Sequence, residues 1–269
     1  MKKLSGMMMA MVLITVLLAG CGGSSETTDT PEAGTDKETL TAAANIDYAP
    51  FEFYENGVAV GFDVDLWNAI CAALGYEAEF VHYPWDGLIS GIQADKFDAI
   101  VADMGITDER KQSVLFSNPY FYETTGVCKK AGSDISGIED LNGKVVGIQT
   151  GTTGEAWTKE HQQELGIKEL VTYETMADAI MDLKVGRTEA VINNGPYLQY
   201  QVTLDDGIEM LAIIDDEPII CGIAFNKEDT ELCEKVNGAL EDLIADGTYA
   251  ELYEKWFGAE PTADFVPAN

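Results

Sequence analysis

Short runs of apolar and β-branched residues alternate with segments of helical periodicity along most of the chain. This alternation constrains the fold strongly, because apolar strands separated by helices form parallel sheets that are covered on both faces. The predicted strands are Leu40–Ala44, Glu77–Val81, Ala99–Ala102, Thr125–Cys128, Val145–Ile148, Glu169–Tyr173 and Ala190–Ile192, and Pro218–Phe225 is a further apolar run. The predicted helices are the segment between Gly61 and Gly75, Trp85–Lys96, a helix capped by Thr107, Thr153–Glu164, Met176–Val185, Thr230–Ala245 and Thr248–Trp256. These elements exceed what one small sheet needs, so the pattern predicts an α/β fold with two lobes.

The composition excludes several classes of protein. Hydrophobic residues make up 46% of the 269 residues, which suits a globular fold over most of the length. The 16 basic and 47 acidic residues give a formal net charge of −31, whereas nucleic acids and anionic lipid headgroups bind to clustered cations. We therefore expect no nucleic-acid partner. Planar, bidentate recognition of a carboxylate is confined to two positions, since the only arginines are Arg110 and Arg187.

The N-terminal segment is predicted to direct export. Two lysines precede an apolar run over residues 7–19, whose 13 residues are too few for a membrane span of about 20. Residues 1–20 therefore predict a secretory signal peptide. The tetrapeptide Leu18-Ala19-Gly20-Cys21 resembles the bacterial lipobox, in which the cysteine carries fatty acids such as palmitate and becomes the mature N-terminus. An ordinary signal peptide followed by a chance cysteine is the alternative.

A flexible linker is predicted for residues 21–37, behind the lipidated Cys21. The stretch Gly22–Asp36 contains no large apolar residue and cannot form a core. A lipid anchor with such a tether would attach the globular part to the membrane without a transmembrane segment. The expected location is the outer face of the cell membrane, which is periplasmic if the cell has two membranes.

Signatures of enzymes, metals and cofactors are absent from the sequence. The four remaining cysteines form no CxxC pair, so they are either disulfide-bonded, as an exported protein permits, or buried as small hydrophobes: Cys71, Cys128, Cys221 and Cys233. No GxSxG elbow, phosphate loop or HExxH motif occurs. We expect no catalytic residues, no metal and no cofactor.

Two features of the sequence are suited to binding an anion. Arg110 follows Thr107 at the start of a predicted helical turn, and Gln149–Gly154 runs from a predicted strand into a predicted helix. The second feature offers exposed N–H groups, the positive end of a helix dipole and two hydroxyls. Each feature follows the carboxyl end of a strand, one in each predicted lobe, where open α/β sheets bind their ligands.

Several short motifs, in their order and spacing, resemble one family. The sequence is similar to the extracellular solute-binding proteins of amino-acid ABC transporters (bacterial solute-binding protein family 3), most closely the glutamine-binding type, from about Thr39 to Pro261. The motifs are Pro50-Phe51-Glu52-Phe53, Gly61-Phe62-Asp63-Val64-Asp65-Leu66-Trp67, Gly105-Ile106-Thr107-Asp108-Glu109-Arg110-Lys111, Gly143-Lys144-Val145-Val146-Gly147, Gly222-Ile223-Ala224-Phe225, Lys235-Val236-Asn237-Gly238-Ala239-Leu240 and Lys255-Trp256-Phe257-Gly258.

The resemblance implies a two-lobed periplasmic-binding-protein-like type II fold. Each lobe would be a mostly parallel sheet flanked by helices, and two hinge strands near Pro119–Tyr122 and Pro218–Cys221 would join the lobes. The implied boundaries are residues 38–121 with 221–260 for lobe one, 122–220 for lobe two and 261–269 for a C-terminal tail. A cleft between the lobes would close on the ligand by a hinge motion.

The resemblance also implies the ligand contacts. Arg110 would bind the α-carboxylate of an amino acid, with the backbone N–H of Thr153 opposite it. Tyr48 and Trp85 would sandwich the ligand side chain, the alternative being that both rings belong to the core of lobe one. The full set of predicted ligand-binding residues is Asn45, Tyr48, Trp85, Asp103, Met104, Gly105, Arg110, Gln149, Thr152, Thr153 and Asn194.

This chain departs from the family pattern around the ligand's ammonium group. Asn194 stands where the family usually has an aspartate that pairs with the ammonium, and an unpaired buried ammonium would cost several kcal/mol. Asp103 stands where a small residue is common, so we predict that it supplies the displaced charge. Gly105 replaces a common hydroxyl residue. The ligand side chain would meet Asn45 and Gln149, both uncharged, which favours a neutral, glutamine-like ligand over lysine or arginine.

The resulting expectation is a lipid-anchored, monomeric substrate-binding component that delivers a polar amino acid to the permease subunits of an ABC importer. Two alternatives stay open at this point. One is a receptor for cystine, an aromatic amino acid or a non-standard amine-containing ligand. The other is a dehydratase-like enzyme on the same scaffold, in which His82, Asp103 or Glu52 would act as the general acid.

Overall fold

The computed structural model describes residues 37–261, except for the side chains of residues 216 and 217. The predicted signal peptide at 1–20, the predicted lipidation site Cys21 with the linker up to residue 36, and residues 262–269 of the predicted tail lie outside the described residues. Within the described part of the chain, none of the helices combines the length and the hydrophobicity that crossing a membrane requires.

Eight strands form one continuous mixed sheet, in the order β4-β1-β5-β10-β6-β9-β7-β8, and two short strands form a separate hairpin, β2-β3. The strands are Thr39–Ala44 (β1), Phe53–Glu55 (β2), Val58–Val60 (β3), Glu77–His82 (β4), Ala99–Ile100 (β5), Leu115–Lys130 (β6), Val145–Gln149 (β7), Glu169–Tyr173 (β8), Ala190–Asn194 (β9) and Ile208–Phe225 (β10).

The long strands β6 and β10 run antiparallel to each other through the middle of this sheet. On one side β1 pairs in parallel with β4 and β5, and on the other side β7 pairs in parallel with β8 and β9. The structure therefore has the predicted two-lobed α/β architecture. We refer to the half that contains β4, β1 and β5 as the first lobe and to the half that contains β9, β7 and β8 as the second lobe.

Helices cover both faces of the sheet, and each lobe has its own core. The helices are Phe62–Leu74 (α1), Leu88–Gln93 (α2), Thr153–His161 (α3), Met176–Val185 (α4), Gly195–Leu204 (α5), Thr230–Ala245 (α6) and Thr248–Phe257 (α7). In the first lobe, Trp67 of α1 is buried among residues of α6 and of the sheet. In the second lobe, Leu183 and Leu198 pack against Val191 of β9. Removal of these apolar side chains from water is the main stabilising contribution.

Local sequence signals predicted several elements with their observed bounds. The strand Glu169–Tyr173 and the helices Met176–Val185 and Thr230–Ala245 are confirmed residue for residue. The first predicted helix is also confirmed, and it ends because Gly75 adopts the left-handed conformation, with a φ of 83°, that a side chain would disfavour.

Three predicted helices are shorter than expected, among them Thr153–Glu164, which ends at His161. In place of a helix over Trp85–Lys96, a 3₁₀ turn at Trp85–Gly87 leads into α2, which ends at Gln93 before the chain turns into β5. The helix predicted after Thr107 is a single 3₁₀ turn, Arg110–Gln112. The N-cap of this turn is Glu109 and not the predicted Thr107, although Oγ1 of Thr107 accepts a hydrogen bond of 3.1 Å from the Arg110 N–H.

Other elements were missed or only partly predicted. Thr125–Cys128 and Pro218–Phe225 are parts of β6 and β10, whose polar residues interrupt the apolar pattern. The hairpin β2-β3 and the helix α5 were not predicted. The sequence does carry a start signal for α5, because Asn194 caps the helix and a proline occupies its first turn.

All four cysteines of the globular part are free thiols and buried. Cys71 lies on α1, Cys128 on β6, Cys221 on β10 and Cys233 on α6. This arrangement agrees with the alternative in which they act as small hydrophobes.

Candidate functional site

A cavity lies between the two lobes, where β1, β5, β7 and β9 end. The space in it that the centre of a water molecule can occupy is about 30 Å³, so the lobes are nearly closed on the cavity. Its lining consists of Asn45, Tyr48, Glu52, Trp85, Ala102, Asp103, Gly105, Arg110, Glu123, Gln149, Thr152, Thr153 and Asn193. Nine of the eleven residues predicted to bind ligand are in this set, drawn from positions 45 to 153 of the sequence.

Met104 and Asn194 are the two predicted site residues that do not line the cavity. The Met104 side chain is buried in the core of the first lobe, whereas its neighbours Asp103 and Gly105 line the cavity. Asn194 lies behind the lining, where its side-chain amide contacts Asp103 and Glu123. The predicted contact of Met104 and Asn194 with a ligand stays a prediction.

Arg110 is held in place by two backbone carbonyls. Its Nη1 donates a hydrogen bond of 2.8 Å to the Gly105 carbonyl, and its Nη2 donates one of 2.8 Å to the Gly151 carbonyl of the second lobe. The guanidinium carbon lies 5.3 Å from the centre of the Trp85 ring. Burial lowers the pKa of Arg110 and the nearby Glu123 carboxylate raises it, and an arginine remains charged under both influences. A fixed guanidinium at the cavity wall is suited to binding a carboxylate.

The start of α3 faces Arg110 from the second lobe. Thr152 caps this helix, since its Oγ1 accepts a hydrogen bond of 3.1 Å from the Glu155 N–H and donates one of 2.8 Å to the Gln149 carbonyl. The Glu155 carboxylate accepts a hydrogen bond from the Gly151 N–H at 2.7 Å. These contacts order the turn, and Thr152 and Thr153 at the positive end of the helix dipole line the cavity.

Three buried carboxyl groups line the same cavity. The residues Glu52, Asp103 and Glu123 are 2%, 5% and 3% exposed, and Arg110 is the one basic residue in the lining. One oxygen of Glu123 accepts a hydrogen bond of 2.8 Å from the Thr153 hydroxyl. Among residues 37–261, Oε2 of Glu52 and Oδ1 of Asp103 are buried without a hydrogen-bond partner. Buried acceptors of this kind are favourable places for a donor on a ligand.

Burial raises the pKa of all three carboxyl groups. The pKa of Glu52 is raised well above its ordinary value by burial and then by the negative charges of Asp63 and Asp103. The pKa of Asp103 is raised by burial, by Glu123 and by Asp63. For Glu123, hydrogen bonds from Thr153 and Asn194 and the charge of Arg110 oppose the effect of burial. Burial therefore disfavours the charged form of each carboxyl group, whereas a cation on a ligand would favour it.

The two predicted aromatic residues line the cavity. The ring of Tyr48 stacks on that of Tyr197 from the second lobe, with 4.1 Å between ring centres and 8° between the planes. Trp85 packs partly on the core of the first lobe and partly beneath Arg110. Both residues line the cavity, which is the position expected for contact with a ligand side chain.

The lining residues that sequence reasoning missed are Ala102, Glu123 and Asn193; Glu52 was considered only as a possible general acid. Glu123 lies just after the predicted crossover at Pro119–Tyr122. A carboxylate directly after this apolar segment is a signal that could have indicated a place in the site. Asn193 directly follows the predicted strand Ala190–Ile192, at the carboxyl end where a ligand was expected.

The cluster of acidic groups fits an organic cation better than a metal ion. Atoms of Asp103, Glu123 and Cys221 lie within 4.8 Å of one another. The side-chain N–H₂ of Asn194, however, already bonds to both carboxyl groups. Burial also raises the pKa of the Cys221 thiol well above its ordinary value, which disfavours the thiolate that a metal would need. An ammonium or guanidinium group needs only acceptor oxygens, which are present.

Comparisons with known proteins agree with this architecture. Over residues 40–259 the sequence matches the bacterial extracellular solute-binding proteins, family 3. An arginine-binding periplasmic protein of Mannheimia haemolytica is 32% identical over 218 residues, covering 79% of this chain and 89% of that protein.

Two similar solved structures are an ancestral arginine-binding protein bound to arginine and an ancestral arginine-binding protein bound to glutamine. The first has a TM-score of 0.76 and 38% identity, covering 83% of this chain and all of the other. The second has a TM-score of 0.75 and 38% identity, covering 83% and 99%. By its sequence match and by its two-lobed structure, the chain belongs to the bacterial extracellular solute-binding proteins of family 3.

Proposed function

We propose that this protein captures an amino acid with a cationic side chain in the cleft between its lobes and delivers it to the permease of an ABC importer. The observation that carries the proposal is the charge of the cavity wall. Three buried carboxyl groups and one guanidinium line this cleft. A ligand with one carboxylate and two cationic groups would complement this arrangement.

The α-carboxylate of the ligand would lie between Arg110 and the start of α3. Arg110 belongs to the first lobe, and Thr153 opens the helix of the second lobe. Arg110 already donates a hydrogen bond to the carbonyl of Gly151, in the turn that leads into Thr153. A carboxylate bound by both lobes favours the closed form over the open form by its differential affinity.

The cationic groups would lie among the carboxyl groups. Asp103 and Glu123 are close to Thr153 and Arg110, the position that suits the α-ammonium. Glu52 lies near Asn45 and Tyr48 on the loop after β1, where the side chain of the ligand would extend. The unpartnered Oε2 of Glu52 would then accept a hydrogen bond from the side-chain cation.

This proposal replaces the glutamine-like ligand that we expected from sequence. That expectation depended on Asn45 and Gln149 being uncharged, on the aspartate that receptors for basic amino acids tend to carry where Asn45 stands, and on the lack of a second cation for an acidic ligand. The structure adds Glu52 and Glu123 to the lining, and their acceptor oxygens favour a ligand with cationic groups. The similar proteins named for arginine support the same class, and the glutamine-bound relative makes glutamine the natural comparison ligand.

The remaining parts of the proposal concern the membrane. Cys21 would carry the lipid, residues 22–37 would act as a tether, and the receptor would work as a monomer beside its permease. Acylation would be seen as a mass increase on an N-terminal Cys21 peptide, and Cys21→Ser should release the protein from the membrane fraction. Retention of Cys21→Ser at the membrane would contradict lipid anchoring at this residue.

Isothermal titration calorimetry of the mature protein with arginine, lysine, histidine, glutamine and glutamate tests the ligand class. We expect binding of at least one basic amino acid, weaker binding of glutamine and none of glutamate. In thermal unfolding, a ligand at a hundred times its dissociation constant should stabilise the protein by about 2.7 kcal/mol. Preference for glutamine would contradict the cationic class, and no binding of any amino acid would contradict the function. Conversion of the bound compound, followed by NMR, would favour an enzyme.

A further inference from the structure

One side-chain amide connects two carboxyl groups from different parts of the cleft. Nδ2 of Asn194 donates a hydrogen bond of 2.5 Å to Oδ2 of Asp103 and another to Oε2 of Glu123. Oδ1 of Asn194 accepts a hydrogen bond of 2.7 Å from the Tyr197 N–H at the start of α5. The amide is therefore fixed by the helix that it caps, and the two carboxyl groups are drawn together by it.

The backbone holds Asp103 in a conformation that directs its side chain to the cavity. Asp103 has a φ of 44°, which is uncommon for a residue with a side chain. Its N–H donates hydrogen bonds of 2.7 Å to Asp63 and 3.0 Å to the Tyr120 hydroxyl. Positive φ values of this kind cluster at binding sites, where the surrounding contacts maintain them. One oxygen of Asp103 then meets Asn194 and the other remains without a partner.

The surroundings offer little positive charge to this pair. Arg110 is the one cation whose charge acts on Glu123 among the described neighbours, and it also faces the proposed carboxylate position. The other titratable groups that act on the pair are Asp63 from α1, Tyr120 from β6, Cys221 from β10, Tyr249 from α7, and Tyr48 and Glu52 from the loop after β1. None of these is cationic, so two buried negative charges at Asp103 and Glu123 would repel each other without sufficient compensation.

We propose that Asp103 and Glu123 share one proton in the ligand-free protein. The pair releases this proton when the α-ammonium of the ligand binds to it at Oδ1 of Asp103. The inference depends on the amino-acid binding proposed above. The ammonium keeps its three protons, no covalent bond forms or breaks in the ligand, and the proton leaves the pair for the solvent. The ammonium brings one positive charge to the pair, and the proton takes one positive charge away to the solvent.

Proton release makes ligand affinity depend on pH. By linkage, affinity rises with pH by up to about tenfold per pH unit for each proton released, as long as the free pair is protonated. The burial that raises the pKa of both carboxyl groups places this dependence above the ordinary range of carboxylic acids. The receptor would hold its ligand less tightly in acidic surroundings.

Calorimetry in two buffers with different ionisation enthalpies, phosphate and Tris, measures the released protons at pH 7. The titrant is the amino acid that binds most tightly in the panel above. Glu52 is a second proton source in the same cavity, so Glu52→Gln serves to isolate the pair. We expect release of about one proton to persist in Glu52→Gln and to disappear in Asp103→Asn and in Glu123→Gln. Asp108→Asn, whose side chain is 99% exposed, is the control and should release as many protons as the wild type.

The possible results distinguish between the shared proton, the residue that supplies it and the proposed function. If amino acids bind and the heat is independent of the buffer, the shared proton is excluded while the receptor function stands. If Glu52→Gln abolishes the release, the proton comes from Glu52 and the pair is excluded as its source. If Asp103→Asn and Glu123→Gln both fail to fold or bind, the slope of log Kd against pH in Glu52→Gln decides, and a flat slope overturns the inference. If no amino acid binds to the wild type, the proposed function itself fails.

Discussion

The Nη2 of Arg110 and the carbonyl oxygen of Gly151 are joined by a hydrogen bond of 2.8 Å that crosses from the first lobe to the second. The same guanidinium and the turn that contains Gly151 form the wall at which a ligand carboxylate would lie. A ligand bound there would add further bonds between the two groups that already hold the lobes together. This geometry explains why binding and closure are expected to be coupled.

Replacement of Arg110 by lysine should reduce amino-acid affinity by roughly 100-fold. Lysine retains the charge but loses the planar fork, which here bonds to two carbonyls and leaves further donors for a carboxylate. Calorimetry measures the affinity, and circular dichroism checks folding. The matched control is Arg187→Lys, at the only other arginine, whose side chain is 74% exposed and pairs with Asp182. Equal affinities of the two variants would remove Arg110 from the site.

Replacement of Glu52 by glutamine should change the preference among ligands. The variant keeps the shape of the side chain and removes the charge that a side-chain cation would meet, so the affinity for basic amino acids should fall by roughly tenfold or more. The affinity for glutamine should fall less. Competition titrations of the basic amino acid against glutamine measure the ratio. Glu55→Gln, exposed on β2, should leave the ratio unchanged. A Glu52→Gln ratio equal to that of the wild type would place the side-chain cation elsewhere.

Replacement of Gly105 by alanine should weaken ligand binding by opposing the closed form. A Cβ at this position would lie 2.8 Å from Cγ2 of Thr153 in the second lobe and 2.8 Å from Cγ2 of Ile219. Such overpacking typically costs about 1–3 kcal/mol, which corresponds to a loss of affinity of roughly tenfold or more. The dissociation constant and the thermal midpoint of the variant are both measured.

The control for this substitution is Gly238→Ala within α6, where an added Cβ meets no atom within 4 Å. This variant should gain about 0.5–1 kcal/mol of stability, since alanine favours a helix interior over glycine, with unchanged affinity. If Gly105→Ala binds as tightly as Gly238→Ala, the contact with Thr153 is not part of the ligand-bound form.

Replacement of Asp63 by asparagine should reduce the pH dependence of stability. Burial raises the pKa of Asp63 from 3.8 to about 7, against hydrogen bonds from Tyr120 and the Asp103 N–H that lower it. Because the folded protein holds this proton more tightly than the unfolded chain, the contribution of Asp63 to the free energy of unfolding falls as pH rises from about 4 to about 7. The fall amounts to up to about 1.4 kcal/mol per pH unit.

Urea unfolding of the ligand-free protein at pH 5 and pH 7 measures this effect. The decrease between the two pH values should be smaller in Asp63→Asn than in the wild type, since the amide oxygen can still accept the bonds from Tyr120 and Asp103. Asp108→Asn should behave like the wild type. Parallel decreases in wild type and Asp63→Asn would show that Asp63 is not protonated in the folded state.

Much of the fold could be predicted because the responsible signals are local. Apolar strands, helical periodicity and the stop at Gly75 depend on residues a few positions apart. The two anion-binding features were also visible, since each follows a strand end. The predicted lobe boundaries, at 121/122 and 220/221, lie inside β6 and β10 and stay a prediction.

The differences between the predicted set and the cavity lining have another origin. Met104 was assigned to the site with its neighbours Asp103 and Gly105, but its side chain is buried in the core of the first lobe. Glu123 was missed because the orientation of a residue in β6 depends on how that strand passes between the lobes. Asn194 contacts Asp103 and Glu123, which only the packing of α5 reveals, and its contact with a ligand stays a prediction.

The sequence by itself determined the two-lobed α/β plan. It also predicted an export signal and a carboxylate site made from Arg110 and a helix start, and these two stay predictions. Only the tertiary structure decided the charge of the cavity, and with it the class of ligand that we propose. The physical reason is that Glu52, Asp103 and Glu123 are far apart in a chain with 47 acidic residues. Which of those carboxyl groups is removed from water and directed at the ligand depends on contacts between strands and lobes, and no local pattern records them.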